Sequence, residues 1–163
     1  MQVYAIEGQN LRDPLPFPAV SLDVHRSLPD FFLVAHDSGL VALHHSSRPF
    51  ALRVWACREG ICAVRWLPGI QSQFVVVHVD GAIALADCLS ESPVVKLWAQ
   101  VSDNFQASSA CTCSMWDQGS VWLAIMSTLG EVQLHRIPKT SDTKLTPQDM
   151  ERQLLHDRLD EHA

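Results

Sequence analysis

Charge is scarce in this chain. Charged residues make up 18% of 163 positions, and 12 basic side chains against 18 acidic ones leave a net charge of −6. A nucleic-acid or anionic-membrane binder needs clustered Lys and Arg, so no nucleic-acid partner is expected. Long apolar runs are missing as well. Spanning a bilayer takes roughly 20 apolar residues, and the longest stretch here, Phe74–Leu89, is broken by His78, Asp80, Gly81 and Asp87. No membrane insertion is expected, and the N-terminus has no basic segment followed by an apolar core, as a signal peptide would. Five cysteines, an odd number, sit inside apolar stretches. That pattern suits buried thiols in a reducing compartment better than a disulfide framework, so the expected address is cytoplasmic.

Catalytic signatures are absent too. There is no phosphate-binding loop, dinucleotide fingerprint, HExxH or GxSxG elbow. The sequence therefore nominates no catalytic residue, no cofactor and no metal ligand. Cys111-Thr112-Cys113 comes nearest to half of a metal site, but no second pair stands at zinc-like spacing, since Cys57 and Cys62 are separated by a turn. What the chain does have is 47% hydrophobic residues, ample for a packed core and far from the composition of a disordered segment.

Self-comparison organises that apolar content. Asp30–Leu43 superimposes on Ser72–Leu85 at an offset of 42, pairing Phe32 with Phe74, Val34 with Val76, His36 with His78 and Gly39 with Gly81. A third copy runs from Leu123 to Leu134, its Gly130 standing 49 residues after Gly81. Between copies, Arg53-Val54-Trp55-Ala56 returns as Lys96-Leu97-Trp98-Ala99 at an offset of 43. A β-sandwich gives no reason for such matched offsets; a repeat architecture does.

Each unit reads as strands. Ala19–His25, Cys62–Trp66 and Ala110–Trp116 alternate as short inner strands. Phe31–His36, Phe74–His78 and Val121–Met126 are continuous apolar runs, the mark of strands buried on both faces. A Gly-containing turn follows each run, then a third strand (Leu40–His44, Ala82–Ala86, Glu131–Ile137), then the strand carrying the Trp-Ala pair. Four short strands per roughly 40–45 residues is the layout of a WD40-like propeller blade. The expected fold is all-β: about three blades of an incomplete β-propeller with a short C-terminal α-helix. Repetition assigns the histidines at 36 and 78, and the tryptophans at 55 and 98, to structural roles shared between blades; Trp66 and Trp116 are expected in the core.

Three segments result. Residues 1–18 hold an expected strand over Met1–Ile6 and a Pro-rich connector; residues 19–138 hold the blades; residues 139–163 hold a polar linker and an acidic helix. Thr146-Pro147-Gln148-Asp149 reads as a helix start, with Thr as N-cap, Pro at the first position and an acid at the third. The predicted helix, Pro147–Glu161, places Met150, Leu154, Leu155 and Leu159 on one apolar face, suited equally to its own propeller and to a partner. The turn residues Asp37, Ser38 and Asp80 are the other candidate partner contacts, with turn stabilisation as their alternative role. Three blades fall short of the roughly seven with which most such propellers close, so the chain is expected to be part of a larger ring.

Family resemblance rests on particular residues. Cys62-Ala63-Val64-Arg65-Trp66-Leu67-Pro68, Phe74-Val75-Val76-Val77 and Gly81-Ala82-Ile83-Ala84-Leu85-Ala86-Asp87 resemble the VRWSP-containing blade of dynein intermediate chains. Phe31–Gly39 is similar to that family's FxVGTEEG blade, and Trp122–His135 followed by an acidic helix resembles its last blade and tail; the ciliary types, dynein-2 of intraflagellar transport and axonemal, are nearer than the cytoplasmic one. The Gly-His and Trp-Asp dipeptides of strong WD repeats are absent, with Ala86-Asp87 where Trp-Asp would stand, so these blades must rely on apolar packing. The resemblance implies a non-catalytic scaffold that binds the dynein heavy-chain tail and other dynein subunits in a microtubule motor complex of the cytoskeleton or cilium. The alternative is a WD40-like adaptor of another assembly, such as a trafficking, nuclear-pore or ubiquitin-ligase complex.

Overall fold

A computed structural model describes residues 17–90, 96–102, 104–114, 120–137 and 146–156. They form three antiparallel sheets and one helix. The first blade comprises β1 (Ala19–Val24), β2 (Phe31–His36), β3 (Leu40–His45) and β4 (Arg53–Ala56). The second comprises β5 (Ile61–Trp66), β6 (Gln73–His78), β7 (Ala82–Asp87) and β8 (Lys96–Gln100). The third comprises β9 (Ala107–Ser114), β10 (Val121–Ser127) and β11 (Val132–Ile137). Within each sheet the strands follow chain order, so every blade is a meander, with β1, β5 and β9 as the first strands. This is the expected set of incomplete propeller blades.

The repeat extends to fine detail. β1 against β2 and β5 against β6 carry the same irregularity, between Ala19 and Ser21 in one and between Ile61 and Ala63 in the other. The turns ending in Gly39, Gly81 and Gly130 each close with the glycine amide donating to the carbonyl three residues earlier, and their φ values are 87°, 82° and 85°. Two boundaries shift where side chains intervene. β1 stops at Val24 because His25 leaves the strand and its ring accepts the amides of Ser27 and Leu28. β11 starts at Val132 because Ser127 Oγ takes the amide of Glu131. β9 begins at Ala107, earlier than expected; Trp116 and the segments 1–16 and 138–145 lie outside the described residues.

Side-chain alternation decides which blade covers which face. In β6, Phe74 and Val76 belong to a core shared with the first blade, while Val75 and Val77 belong to a core shared with the third. β7 divides likewise: Ala84 and Ala86 on one side, Ile83 on the other. With both faces covered, β6 has no need of polar residues, which explains its continuous apolar run. In the first core, Phe74 meets Trp55 and Trp66 edge-on, with ring centroids 5.0 and 5.8 Å apart. Trp55 is therefore blade packing, as its repetition suggested; its counterpart Trp98 is half-buried against the second core.

Polar groups of the first strands tie blades together. Asp23 Oδ2 accepts the Trp66 amide at 2.7 Å, and Ser21 Oγ accepts that of Val64 at 3.2 Å. Arg65 spans all three blades: Nε donates to Ala110 O at 2.8 Å and Nη1 donates to Ser21 Oγ at 3.0 Å. Thr112 Oγ1 closes the series by donating to Trp66 O at 2.8 Å.

The helix α1 (Pro147–His156) starts as expected. Thr146 Oγ1 accepts the Asp149 amide at 3.2 Å, and Asp149 Oδ2 takes the Thr146 hydroxyl at 2.6 Å. Those bonds hold the Asp149 carboxyl below its ordinary pKa. Met150 and Leu154 are buried in the first core and Leu155 packs beside them, while Leu159 lies outside the described residues. Met150→Ala is expected to cost about 2 kcal/mol, at the low end for a buried Met because a short terminal helix can re-seat. Urea unfolding should show that loss as a lower midpoint without a change in slope.

Candidate interaction surfaces

Among the described residues, two rims and two end faces are left uncovered. One rim carries the turns after β2, β6 and β10, where Asp37, Ser38 and Asp80 were nominated. Asp37 is exposed. Ser38 is partly covered, and its Oγ is buried with no hydrogen-bond partner among the described residues. Asp80 is already engaged. It pairs with Arg58 at 2.5 Å and accepts the Ala82 amide at 3.2 Å, while its carbonyl takes the Gln100 side chain at 2.8 Å. Both partners of the Asp80–Arg58 pair are about half exposed, so it contributes little stability but fixes the turn. The structure brings Asp37 and Ser38 into one turn and places Asp80 in the equivalent turn of the next blade.

The same rim holds two apolar residues that the sequence reading passed over. Val79 is 44% exposed and Leu129 is 86% exposed at the turn tips. Their signal was available: aligned on the turn glycines, they occupy positions filled by Asp37 and Ser38 in the first blade, and a large apolar group at a turn tip gains nothing from water.

Histidines fasten this rim. His36 Nδ1 donates to Phe17 O at 2.8 Å and His78 Nδ1 donates to Glu59 O at 3.4 Å. Each acceptor lies 19 residues upstream, in the connector entering the blade. The shared structural role read from the repeat is thus a clasp between strand end and connector. In the third blade Ser127 takes this position and binds its own turn amides instead.

The opposite rim holds a cleft of about 350 Å³ between the ends of β1, β5 and β9, with Asp23, Arg26, Arg65, Trp66 and Gln71 in its wall. Beside it, His25 Nδ1 accepts two amides, so Nε2 carries the proton donated to Gln71 O at 2.9 Å. This ring must be neutral, and burial lowers its pKa from 6.5, as it does for His78 and His44. In the unfolded chain these rings bind protons at higher pH than in the folded one. Stability is therefore full above 6.5 and falls as the pH drops through 6.5 towards the folded values. Melting temperatures recorded between about pH 7.5 and about pH 5.5 should decrease, and His25→Gln should flatten part of that slope.

Burial keeps three of the thiols protonated. Burial raises the Cys57 pKa to about 12 and that of Cys62 to about 11, and pushes the Cys88 thiol higher still. Cys111 is exposed. Among the described residues no group of three potential metal ligands converges, and no helix is long and apolar enough to cross a membrane.

The end faces are apolar. On the first blade Val20, Leu22 and Val24 of β1 point away from the second blade and are 43%, 55% and 47% exposed. On the third blade Met126, Val132 and Leu134 do the same at 45%, 62% and 65%. Among the described residues β11 is also a free sheet edge.

No family model matches this chain, and no curated protein matches it. Solved structures do. The chain is similar to Sqt1 of Saccharomyces cerevisiae with a TM-score of 0.57 and 8% identity, over 74% of this chain and 32% of that one. It is similar to the β-propeller domain of Cps50 (Swd1) from Myceliophteria thermophila with a TM-score of 0.52 and 15% identity, over 88% of this chain and 46% of that one. The likeness is one of fold, and the chain spans less than half the length of either structure.

Proposed function

We propose that this chain is a non-catalytic protein-interaction scaffold, and that it is the C-terminal propeller part of a dynein intermediate chain, binding the dynein heavy-chain tail in a cytoskeletal or ciliary motor complex. The blades occupy residues 19–138, with 1–18 before them and a linker and acidic helix in 139–163. The supporting observation is the rigid stack of blades: cross-linked through Arg65 and packed on both faces of β6, it holds its turn rims in fixed relation. Rigid elements presenting varied loops suit recognition of another protein. The finer, dynein-specific reading rests on residues 62–87, the stretch resembling dynein intermediate chains, which forms the first three strands of the second blade. Contacts are assigned to the rim of Asp37, Ser38, Val79, Asp80 and Leu129.

The experiment is a pull-down with a ciliary dynein heavy-chain tail as bait and this chain in a completed propeller as prey. Capture is expected, and Leu129→Asp should weaken it without unfolding the chain. No capture, together with a proximity-labelling profile free of dynein subunits, would replace this reading by the second one, a WD40-like adaptor of a different assembly.

A further inference from the structure

The cleft beside His25 lies on the rim opposite the one assigned above to partner contacts, and its wall is largely polar. The wall comes entirely from described residues of the three blades, so its chemistry does not depend on how many blades complete the ring. Arg65 stands in it with a charge that no carboxylate balances. Its Nε donates to Ala110 O at 2.8 Å, and its Nη1 to Ser21 Oγ at 3.0 Å, Val64 O at 2.7 Å and Leu22 O at 3.4 Å. All four acceptors are neutral, and Nη2 has no partner among the described residues. A partly buried guanidinium held by neutral groups alone favours an entering anion. Arg26 belongs to the same wall, exposed and with no hydrogen bond or ion pair among the described residues.

Acceptors sit beside these donors. Asp23 gives Oδ2 to the Trp66 amide and leaves Oδ1 without a partner among the described residues. The Gln71 side-chain oxygen is buried and unpartnered, and so is the indole nitrogen of Trp66, a residue only 6% exposed. Such an atom costs about 1–3 kcal/mol while it stays unpaired. His25 adds no charge, because its ring accepts two amides and must be neutral. Two arginines against one aspartate leave the wall with a single positive charge.

We propose that this cleft binds a short acidic segment of a partner protein, with an Asp or Glu carboxylate of that segment held by Arg65 and Arg26. The mixed wall selects this ligand over two others. A simple anion would use the arginines and leave Asp23 Oδ1 and Gln71 unanswered, whereas a peptide brings amide N–H groups for both. A phosphorylated side chain carries about −1.5 to −2 charges, more than the wall balances, and Asp23 repels it. Carboxylate and guanidinium also match as paired hydrogen-bond forks. At about 350 Å³ the cleft is at the small end of ligand sites, in keeping with one anchoring side chain and its flanking backbone. This inference goes beyond the function proposed above, since it concerns the opposite rim and stands whichever assembly the scaffold serves.

Titration of the isotope-labelled 163-residue chain with terminally blocked tripeptides, followed by nuclear magnetic resonance, tests it. Ala-Glu-Ala should move the Trp66 indole signal saturably. Ala-Gln-Ala, which keeps the shape and loses the charge, should bind at least about tenfold more weakly. Ala-phosphoserine-Ala and acetate should also bind more weakly than Ala-Glu-Ala. Arg26→Gln should remain folded, because that side chain bonds to nothing among the described residues, and should weaken Ala-Glu-Ala by about threefold to fivefold. Its affinity for Ala-Gln-Ala should not change. The absence of a saturable shift would overturn the proposal, as would equal binding of the Glu and Gln peptides or wild-type affinity in Arg26→Gln. Tighter binding of the phosphoserine peptide, or acetate binding as well as Ala-Glu-Ala, would overturn it in favour of a phosphorylated ligand or a simple anion.

Discussion

Phe74→Ala should destabilise the chain by about 3–5 kcal/mol, whereas Phe32→Ala, at the equivalent position one repeat earlier, should cost about 1 kcal/mol. The side chains are identical and both strands have partners on either edge; only the neighbouring blade differs. Phe74 is fully buried, with the rings of Trp55 and Trp66 edge-on to it at 5.0 and 5.8 Å. Its removal leaves a cavity that two rigid indoles cannot collapse to fill, and it also loses two aromatic contacts. Phe32 is half-buried on the open face and stacks on His44 at 5.3 Å, so water enters where its ring was. Urea unfolding of both variants measures the difference. For a chain of this length the Phe74 variant should melt roughly 10 °C lower than wild type. Equal losses would mean that blade contacts contribute nothing at β6.

Gly39→Ala is the second large effect, and Gly130→Ala is its control. Both glycines have a φ near +85°, where an alanine is strained by about 1–2 kcal/mol. At Gly130 a Cβ would meet nothing within 4 Å, so that strain is the whole cost. At Gly39 it would lie 2.7 Å from Cys57 O and 2.9 Å from the carbonyl carbon and oxygen of Arg58. Those are backbone atoms and cannot rotate aside. They are held by the bond from the Cys57 amide to Gly39 O, 2.7 Å long, which locks the turn after β2 to the end of β4. Relief means breaking that bond or parting the strands, so the expected total exceeds about 3 kcal/mol. Gly81, where Val101 Cβ would be 3.0 Å away, should fall between the two. Thermal melts of the three variants give the order, and a Gly130 variant as damaged as the Gly39 one would contradict it.

These effects also mark what the sequence could reveal. Offsets of 42 and 49 between glycines located the strands of all three blades, because a turn that needs positive φ and a strand buried on both faces leave strong local marks. The helix start at Thr146 was legible for the same reason: its capping partners are three residues apart. The candidate contacts were less legible. Asp80 looked available until Arg58, 22 residues away, took its carboxylate. Met150 and Leu154 looked equally suited to a partner and to the propeller, and the structure seats them in the first core. Arg65 read as part of a motif, yet its contacts reach 44 and 45 residues in opposite directions. Periodicity reports that a face alternates; it carries no information on which neighbour covers that face, or on whether one does.

The arrangement of blades around β6 is the centre of this account, and nuclear Overhauser contacts from its side chains test it most directly. Phe74 and Val76 should show contacts to the first blade, including the Trp55 ring, and Val75 and Val77 should show contacts to the third blade, including Val121 and Leu123. A two-layer sandwich would cover one face of β6 and leave the other to water. Contacts from only one of the two alternating sets would therefore contradict the propeller stack, and contacts from both sets to opposite blades would establish it in solution.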